Sequence, residues 1–310
     1  MTASERDRQR AGARWVEERL PLPSNPLGIR GIEFVEYATR EPLALGALLR
    51  RMGFQEVARH RSREVLLFRQ GGMNVIVNAH ADAVRESARS DAPAIVGLAF
   101  RVRDAAFAHR RALELGAWDM PTRAAEMELH IPGIHGAGDS LVYFVDRVDE
   151  FSIYDVDFIR APGAARDPPA LFGMHWFGVV QSVFADRTDD WIDFYTALLG
   201  FERLDASHFV GVLPKGRLLR SPGGYFYLQL VEPPPGADFV EWDEQLLRVG
   251  LGTPDVPAAV QGLGERGIVF VDREPLRPTE RGALTQIYMG SVCFELVHSD
   301  GGDADAEKTG

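Results

Sequence analysis

Four times along the 310-residue chain an apolar-alternating strand runs into a helix that stops at a glycine. This repeat restricts the fold more than any single motif. GIEFVEYA at 31–38 and GMHWFGVV at 173–180 are counterparts, and each is followed by a helix ending in Gly-Phe. Thr39 and Asp186 are the expected N-caps, Gly53 and Gly200 the expected residues just past the C-cap, and both spacings are 14. The first helix carries Leu45, Leu48, Leu49 and Met52, and the second Trp191, Phe194, Tyr195 and Leu198, both at helical period.

The remaining two copies also align. VGLAFRVRDAAFAHRRALELGA at 96–117 matches VGLGTPDVPAAVQGLGERGI at 249–268, and Asp104 to Gly116 and Asp255 to Gly267 are both 12 apart. Strand-rich stretches follow the helices, for example EVLLFRQGGMNVIVNA at 64–79, GDSLVYFVDR at 138–147 and GYFYLQLVEP at 224–233. Gly71-Gly72 and Gly223-Gly224 read as hairpin turns. The unit is strand, helix, then about three strands. APGAARDPPA at 161–170, with three prolines and no large apolar residue, reads as a linker. The reading is an α+β protein of two tandem domains, each a pair of βαβββ modules forming an open curved sheet. Residues 1–29 are an N-terminal extension, 30–160 the first domain, 161–170 the linker, 171–300 the second domain and 301–310 a tail.

Composition narrows the function classes. The net charge is −11, and no basic run lies outside the Arg-rich start, which disfavours a nucleic-acid partner. No stretch reaches the ~18–20 apolar residues of a membrane span, and the charged first residues show no signal-peptide core. Cys293 is the single cysteine, set in the apolar run Val292-Cys293-Phe294, so no intrachain disulfide forms. A soluble cytoplasmic protein is expected, with homo-oligomer formation left open. No phosphate loop, nucleophile elbow, paired-cysteine motif or dinucleotide fingerprint occurs.

The paired βαβββ unit resembles the vicinal-oxygen-chelate (glyoxalase/bleomycin-resistance) superfamily. GIEFVEYA, FRQGGMNVIVNA, AFRVRDAAFAHRRALELGA and IPGIHGAGDSLVYFVDR, within roughly 31–158, resemble the N-terminal domain of the bacterial 4-hydroxyphenylpyruvate dioxygenases. Residues 171–300 are similar to that family's catalytic domain. The resemblance implies a non-heme Fe(II), or another divalent metal, held by two histidines and a glutamate in the second domain. Such a triad leaves positions open for a chelating 2-oxo acid and O₂. His175 matches the first ligand and Glu295, in VCFELV, the last. Arg248, in QLLRVGL, stands where the resemblance implies the second histidine, and arginine offers a metal no lone pair. The resemblance further implies substrate-binding roles for Ser221 and Gln286. Val231 replaces its asparagine, and its closing C-terminal helix has no counterpart before Gly310. In the first domain Glu33 and Tyr143 stand at the positions pseudo-equivalent to His175 and Glu295, so no metal is expected there.

The residues themselves leave alternatives open. His175 alternates with Phe177 and Val179, where a lone histidine is also at home in a core. Glu295 shares its face with Cys293 and Val297 and needs a partner or a metal if buried. Arg248 needs a counter-charge, so an Arg248–Glu295 salt bridge filling a former metal site competes with metal binding. Tyr225, Tyr227 and Gln229 share one parity and point toward the same cup; Tyr227 and Gln229 are the expected substrate contacts. His208 and His298 are weaker substitute ligands, since His298 has the opposite parity to Glu295. Three functions follow. The first is a metal-dependent dioxygenase-like enzyme acting on a small carboxylic or 2-oxo acid, with His175 and Glu295 on the metal. The second is a metal-free lyase or isomerase using Arg248 as electrophile and Glu295 as acid/base. The third is a catalytically inactive small-ligand-binding protein.

Overall fold

The computed structural model describes residues 24–86, 91–120, 129–148, 151–205, 208, 211, 212, 216–233 and 242–301. Apart from Gly301, the tail expected at 301–310 lies outside them, as does most of the N-terminal extension.

Each of the four units closes in the same way: its first strand pairs in parallel with its last. In unit one β1 (Ile29–Ala38) pairs with β4 (Met73–Asn78), with α1 (Pro42–Arg51), β2 (Gln55–His60) and β3 (Val65–Gln70) between. A short helix α2 (Ala81–Glu86) leads into unit two. There β5 (Ala94–Val102) pairs with β7 (Leu141–Val145) around α3 (Ala105–Glu114) and β6 (Gly133–His135). Helix α4 (Ile153–Asp157) and β8 (Phe158–Arg160) return to β2. In unit three β9 (His175–Ser182) pairs with β12 (Tyr227–Val231) around α5 (Thr188–Asp193), one π turn at Phe194–Leu198, β10 (Glu202–Arg203) and β11 (Arg217–Arg220). In unit four β13 (Gln245–Thr253) pairs with β15 (Phe294–His298) around α6 (Val256–Glu265) and β14 (Gly282–Leu284). Parallel pairing requires a crossover, and the helix supplies it.

Units two and four keep only two full strands after the helix among the described residues. The third shrinks to a single bridge, Asp119 to Ile134 in one and Phe270 to Thr285 in the other. Within each half the leading strands pair antiparallel, β1 with β5 and β9 with β13. The halves meet in one sheet through the pair Leu246–Ile95, and Phe100 stacks on Phe226 at 5.3 Å across that junction. One apolar cluster therefore runs through both halves. Residues 161–170 contain no helix or strand.

Two of the four expected caps form. Asp104 accepts from the Phe107 amide at 2.8 Å and Asp255 from the Ala258 amide at 2.9 Å. Thr39 is not a cap. Pro42 sets the helix start, Glu41 takes the cap position, and Thr39 Oγ1 accepts from the Glu41 amide in a local turn. Asp186 is not a cap either, because it adopts φ 62° in the turn before Arg187. Gly53, Gly116, Gly200 and Gly267 all have the positive φ that ends a helix. No described helix is long and apolar enough to cross a membrane.

Candidate functional site

The second half builds its cup on β12, β9, β13 and β15, in that spatial order. Gly250 on β13 lies opposite both Gly178 on β9 and Glu295 on β15. Two glycines in one row leave the space above the sheet to the carboxylate. Gly178 has a second reason: a Cβ there would stand 2.2 Å from the Tyr227 carbonyl oxygen.

Arg248 comes from the same face of β13 as Gly250, and its Nε donates to Glu295 Oε2 at 3.0 Å. Arg248 is 8% exposed and Glu295 3%. The contact is one-sided. Among the described residues, Nη2, on the same edge of the guanidinium as Nε, and Glu295 Oε1 make no hydrogen bond of good geometry, although the Val212 amide lies close to the carboxylate. Burial pushes the Glu295 carboxyl above the ordinary carboxylate range, and the adjacent Arg248 offsets only part of that. The backbone of Gly211 and Val212 lies against this carboxylate, and the Val212 amide also favours its charged form. The Cys293 thiol is pushed up, mainly by burial.

Beside the pair lies a small void of about 20 Å³ lined by Phe177, Leu218, Tyr227, Gln229, Glu295 and Val297, among others. Phe177 stacks on Tyr227 with ring centroids 5.0 Å apart. This is room for about one water molecule, far below the ~300 Å³ of a ligand pocket, so a ligand enters only when these side chains move apart. Tyr227, Gln229, Arg248 and Glu295 are thus brought together as expected from the sequence. Ser221 and Gln286 are not. Ser221 Oγ is turned into its own loop, accepting from the Phe226 amide at 3.0 Å, and Gln286, just after β14, is exposed. His208 and His298 are exposed as well.

His175 is on the cup face but off the row. The β9–β13 register slips between Gly250–Gly178 and Leu251–Trp176, so Phe177 is an extra residue in a bulge. His175 is carried to the row of Gly252, whose Cβ would stand 2.3 Å from its Nε2. Nδ1 donates to the Gly173 carbonyl at 3.1 Å, and a carbonyl only accepts, which leaves Nε2 to face Ser299 Oγ at 2.9 Å. The nitrogen a metal would need is engaged by a hydroxyl, and the carboxylate it would need is engaged by Arg248. Among the described residues no three His, Cys, Asp or Glu side chains are placed to share a metal ion. The residues present do not fit the Fe(II) site that the resemblance implies.

Sequence reasoning passed over Phe177 as a binding face and missed Ser299 and Gly211. Ser299 lies beyond the strand end, where parity carries no information. Phe177 shares the parity of His175, and both reach the cup face, but the bulge shifts His175 to the row of Gly252.

In the first half, Glu33 accepts from Arg101 Nε at 2.9 Å, Tyr154 Oη at 2.9 Å and Asn74 Nδ2 at 3.2 Å. Glu36 accepts from Asn78 Nδ2 at 2.7 Å and Tyr143 Oη at 3.1 Å. The pseudo-equivalent cup is filled by this network and by an apolar cluster that includes Ile153, Tyr154 and Phe158.

Comparison with known proteins gives the family. Residues 24–159 match the family model described as "Hydroxyphenylpyruvate dioxygenase, HPPD, N-terminal". The chain is 33% identical to Hemolysin VllY of Vibrio vulnificus over 330 residues, covering 91% of this chain and 92% of that protein. It is 38% identical to a 4-hydroxyphenylpyruvate dioxygenase of a Pseudomonas species over 185 residues, 59% of this chain and 52% of the other. Among solved structures it resembles a xylose isomerase-like TIM barrel/4-hydroxyphenylpyruvate dioxygenase fusion protein, with TM-score 0.72, 24% identity and 94% of this chain covered. It spans about half of that fusion protein, 52% of its length. Fold, repeat architecture and relatives agree: the chain belongs to the 4-hydroxyphenylpyruvate dioxygenase family of the vicinal-oxygen-chelate superfamily.

Proposed function

We propose that the chain is a metal-independent lyase or isomerase of this dioxygenase family, moving a proton on a small carboxylic or 2-oxo acid held in the second cup. One observation carries this reading: Arg248 binds Glu295 where the family resemblance implies two metal ligands. Iron-dependent oxygenation, the reading that the names of the relatives favour, requires Glu295 to leave Arg248 and His175 to leave Ser299.

The chemistry follows from the two unpartnered atoms. A substrate carbonyl oxygen accepts from Arg248 Nη2. The carboxylate of Glu295 takes a proton from the adjacent carbon. The C–H electrons move into a C–C double bond, and the carbonyl electrons move onto oxygen, giving an enolate. The guanidinium stabilises that oxygen as charge develops, an oxyanion-type role. Return of the proton to oxygen or carbon completes the isomerisation, and no electron acceptor or co-reactant enters. A carboxyl held above its ordinary pKa is closer to the value that suits a general base near neutral pH. Phe177 and Tyr227 supply a flat apolar wall and Gln229 a neutral polar contact.

The test is proton–deuterium exchange at the α-carbon of phenylpyruvate and smaller 2-oxo acids in D₂O, followed by NMR with a chelator present. Catalysed exchange that Glu295→Gln abolishes supports the proposal. Binding without exchange leaves the ligand-binding reading, and O₂ uptake that needs added iron restores the oxygenase reading.

A further inference from the structure

A larger cleft lies outside the cup. It measures about 590 Å³, within the ~300–1,000 Å³ of small-molecule sites. Arg50, Phe54, Gln55 and Glu56 line it from the first half, Pro169 from the connecting segment, and Leu171 and Arg266 from the second half.

Its charge opposes that of the chain. The protein carries −11 overall, yet two arginines, Arg50 and Arg266, line this cleft against one carboxylate. Glu56 is the single carboxylate in its lining and is shared, bonded to Arg50 at 2.7 Å and to Arg59 at 2.7 Å. Arg266 has no carboxylate within ion-pair distance among the described residues. It donates through Nε to the Arg51 carbonyl at 2.8 Å and through Nη2 to the Arg50 carbonyl at 2.7 Å. These carbonyls end α1 and contribute only about half a negative charge. Arg51 reciprocates to the Gly267 carbonyl at 3.1 Å. Arg266 is thus held in place by the fold without a carboxylate partner, while Arg50 shares Glu56 with Arg59 and is further fixed over the Phe68 ring at 5.5 Å. Phe54, Pro169 and Leu171 add an apolar wall.

We infer that this cleft between the halves is a second binding site, for a small organic anion with an apolar body. An anion there completes the coordination of Arg50 and Arg266, and its apolar part covers Phe54 and Leu171. The inference stands apart from the chemistry of the cup.

The experiment titrates phenyl phosphate into the ¹⁵N-labelled full-length protein and follows the amides. Shifts at Gly53, Phe54, Gln55 and Leu171, with a Kd below about 1 mM, are expected, while Gly178 and Gly250 in the cup stay unmoved. Glu56→Gln removes the competing carboxylate and should tighten binding about two- to fivefold, and Arg50→Gln should weaken it by a similar factor. Benzyl alcohol, which keeps the ring and lacks the charge, should not bind. Absence of shifts at millimolar phenyl phosphate, shifts confined to the cup, equal binding of benzyl alcohol, or insensitivity to both charge changes would each overturn the inference.

Discussion

Arg248 and Glu295 form a buried ion pair through a single contact, Nε to Oε2 at 3.0 Å, although the guanidinium edge could make two. The pair stands at the meeting of β13 and β15, opposite the glycine row of β9 and β13. Its stability should behave as that of a buried pair. Arg248→Ala or Glu295→Ala leaves one uncompensated charge and should cost about 3–5 kcal/mol. Arg248→Met combined with Glu295→Leu should cost far less than the sum of the single changes. Urea unfolding of the three variants measures this.

Metal affinity is the second expectation. Arg248→His removes the partner of Glu295 and supplies an imidazole on the same face of β13. Fe(II) affinity should rise at least about tenfold, because the change restores a direct ligand where even supporting contacts are worth ~10–100-fold. Calorimetric titration of Fe(II) into both proteins under anaerobic conditions gives the ratio.

How much of this was legible in the sequence can be judged residue by residue. The fourfold repeat gave the architecture because cap and glycine positions are local chemistry: Asp104, Asp255 and all four terminal glycines act as read. Thr39 and Asp186 were misread because Pro42 and a left-handed residue moved the helix starts. The Arg248–Glu295 pair was foreseeable, since two buried opposite charges on neighbouring strands have little alternative. The displacement of His175 was not. A one-residue bulge at Phe177 leaves the alternating pattern intact on paper while changing the register, and the hydroxyl that meets His175 comes from Ser299, 124 residues away. Ser221 and Gln286 were placed by resemblance alone; the Ser221 hydroxyl is engaged within its own loop, Gln286 is exposed, and neither lines the cavity.

Glu36 sets a pH expectation in the first half. Burial raises its carboxyl above the ordinary range despite the bonds from Asn78 and Tyr143. Between the unfolded and the folded pKa the native state holds a proton that the unfolded chain has released. Stability attributable to Glu36 is therefore complete below about pH 4.5 and falls as pH rises through the raised folded value. Glu36→Gln should flatten this part of the profile and lose less stability toward pH 8 than the natural protein. Chemical denaturation at pH 5 and pH 8 for both proteins tests the sign.

Gly178 should resist substitution. An alanine Cβ would stand 2.2 Å from the Tyr227 carbonyl oxygen, and backbone on the neighbouring strand cannot swing aside. Gly178→Ala should cost about 1–3 kcal/mol and disturb the Phe177–Tyr227 stack, visible as a changed near-ultraviolet circular dichroism spectrum.

The most direct measurement is the iron content of the purified protein together with deuterium exchange into a 2-oxo acid, before and after exhaustive chelation. A metal-independent cup predicts well under one iron per chain and an exchange rate that chelation leaves unchanged. Stoichiometric iron, with an activity that chelation removes and Fe(II) restores, would contradict it.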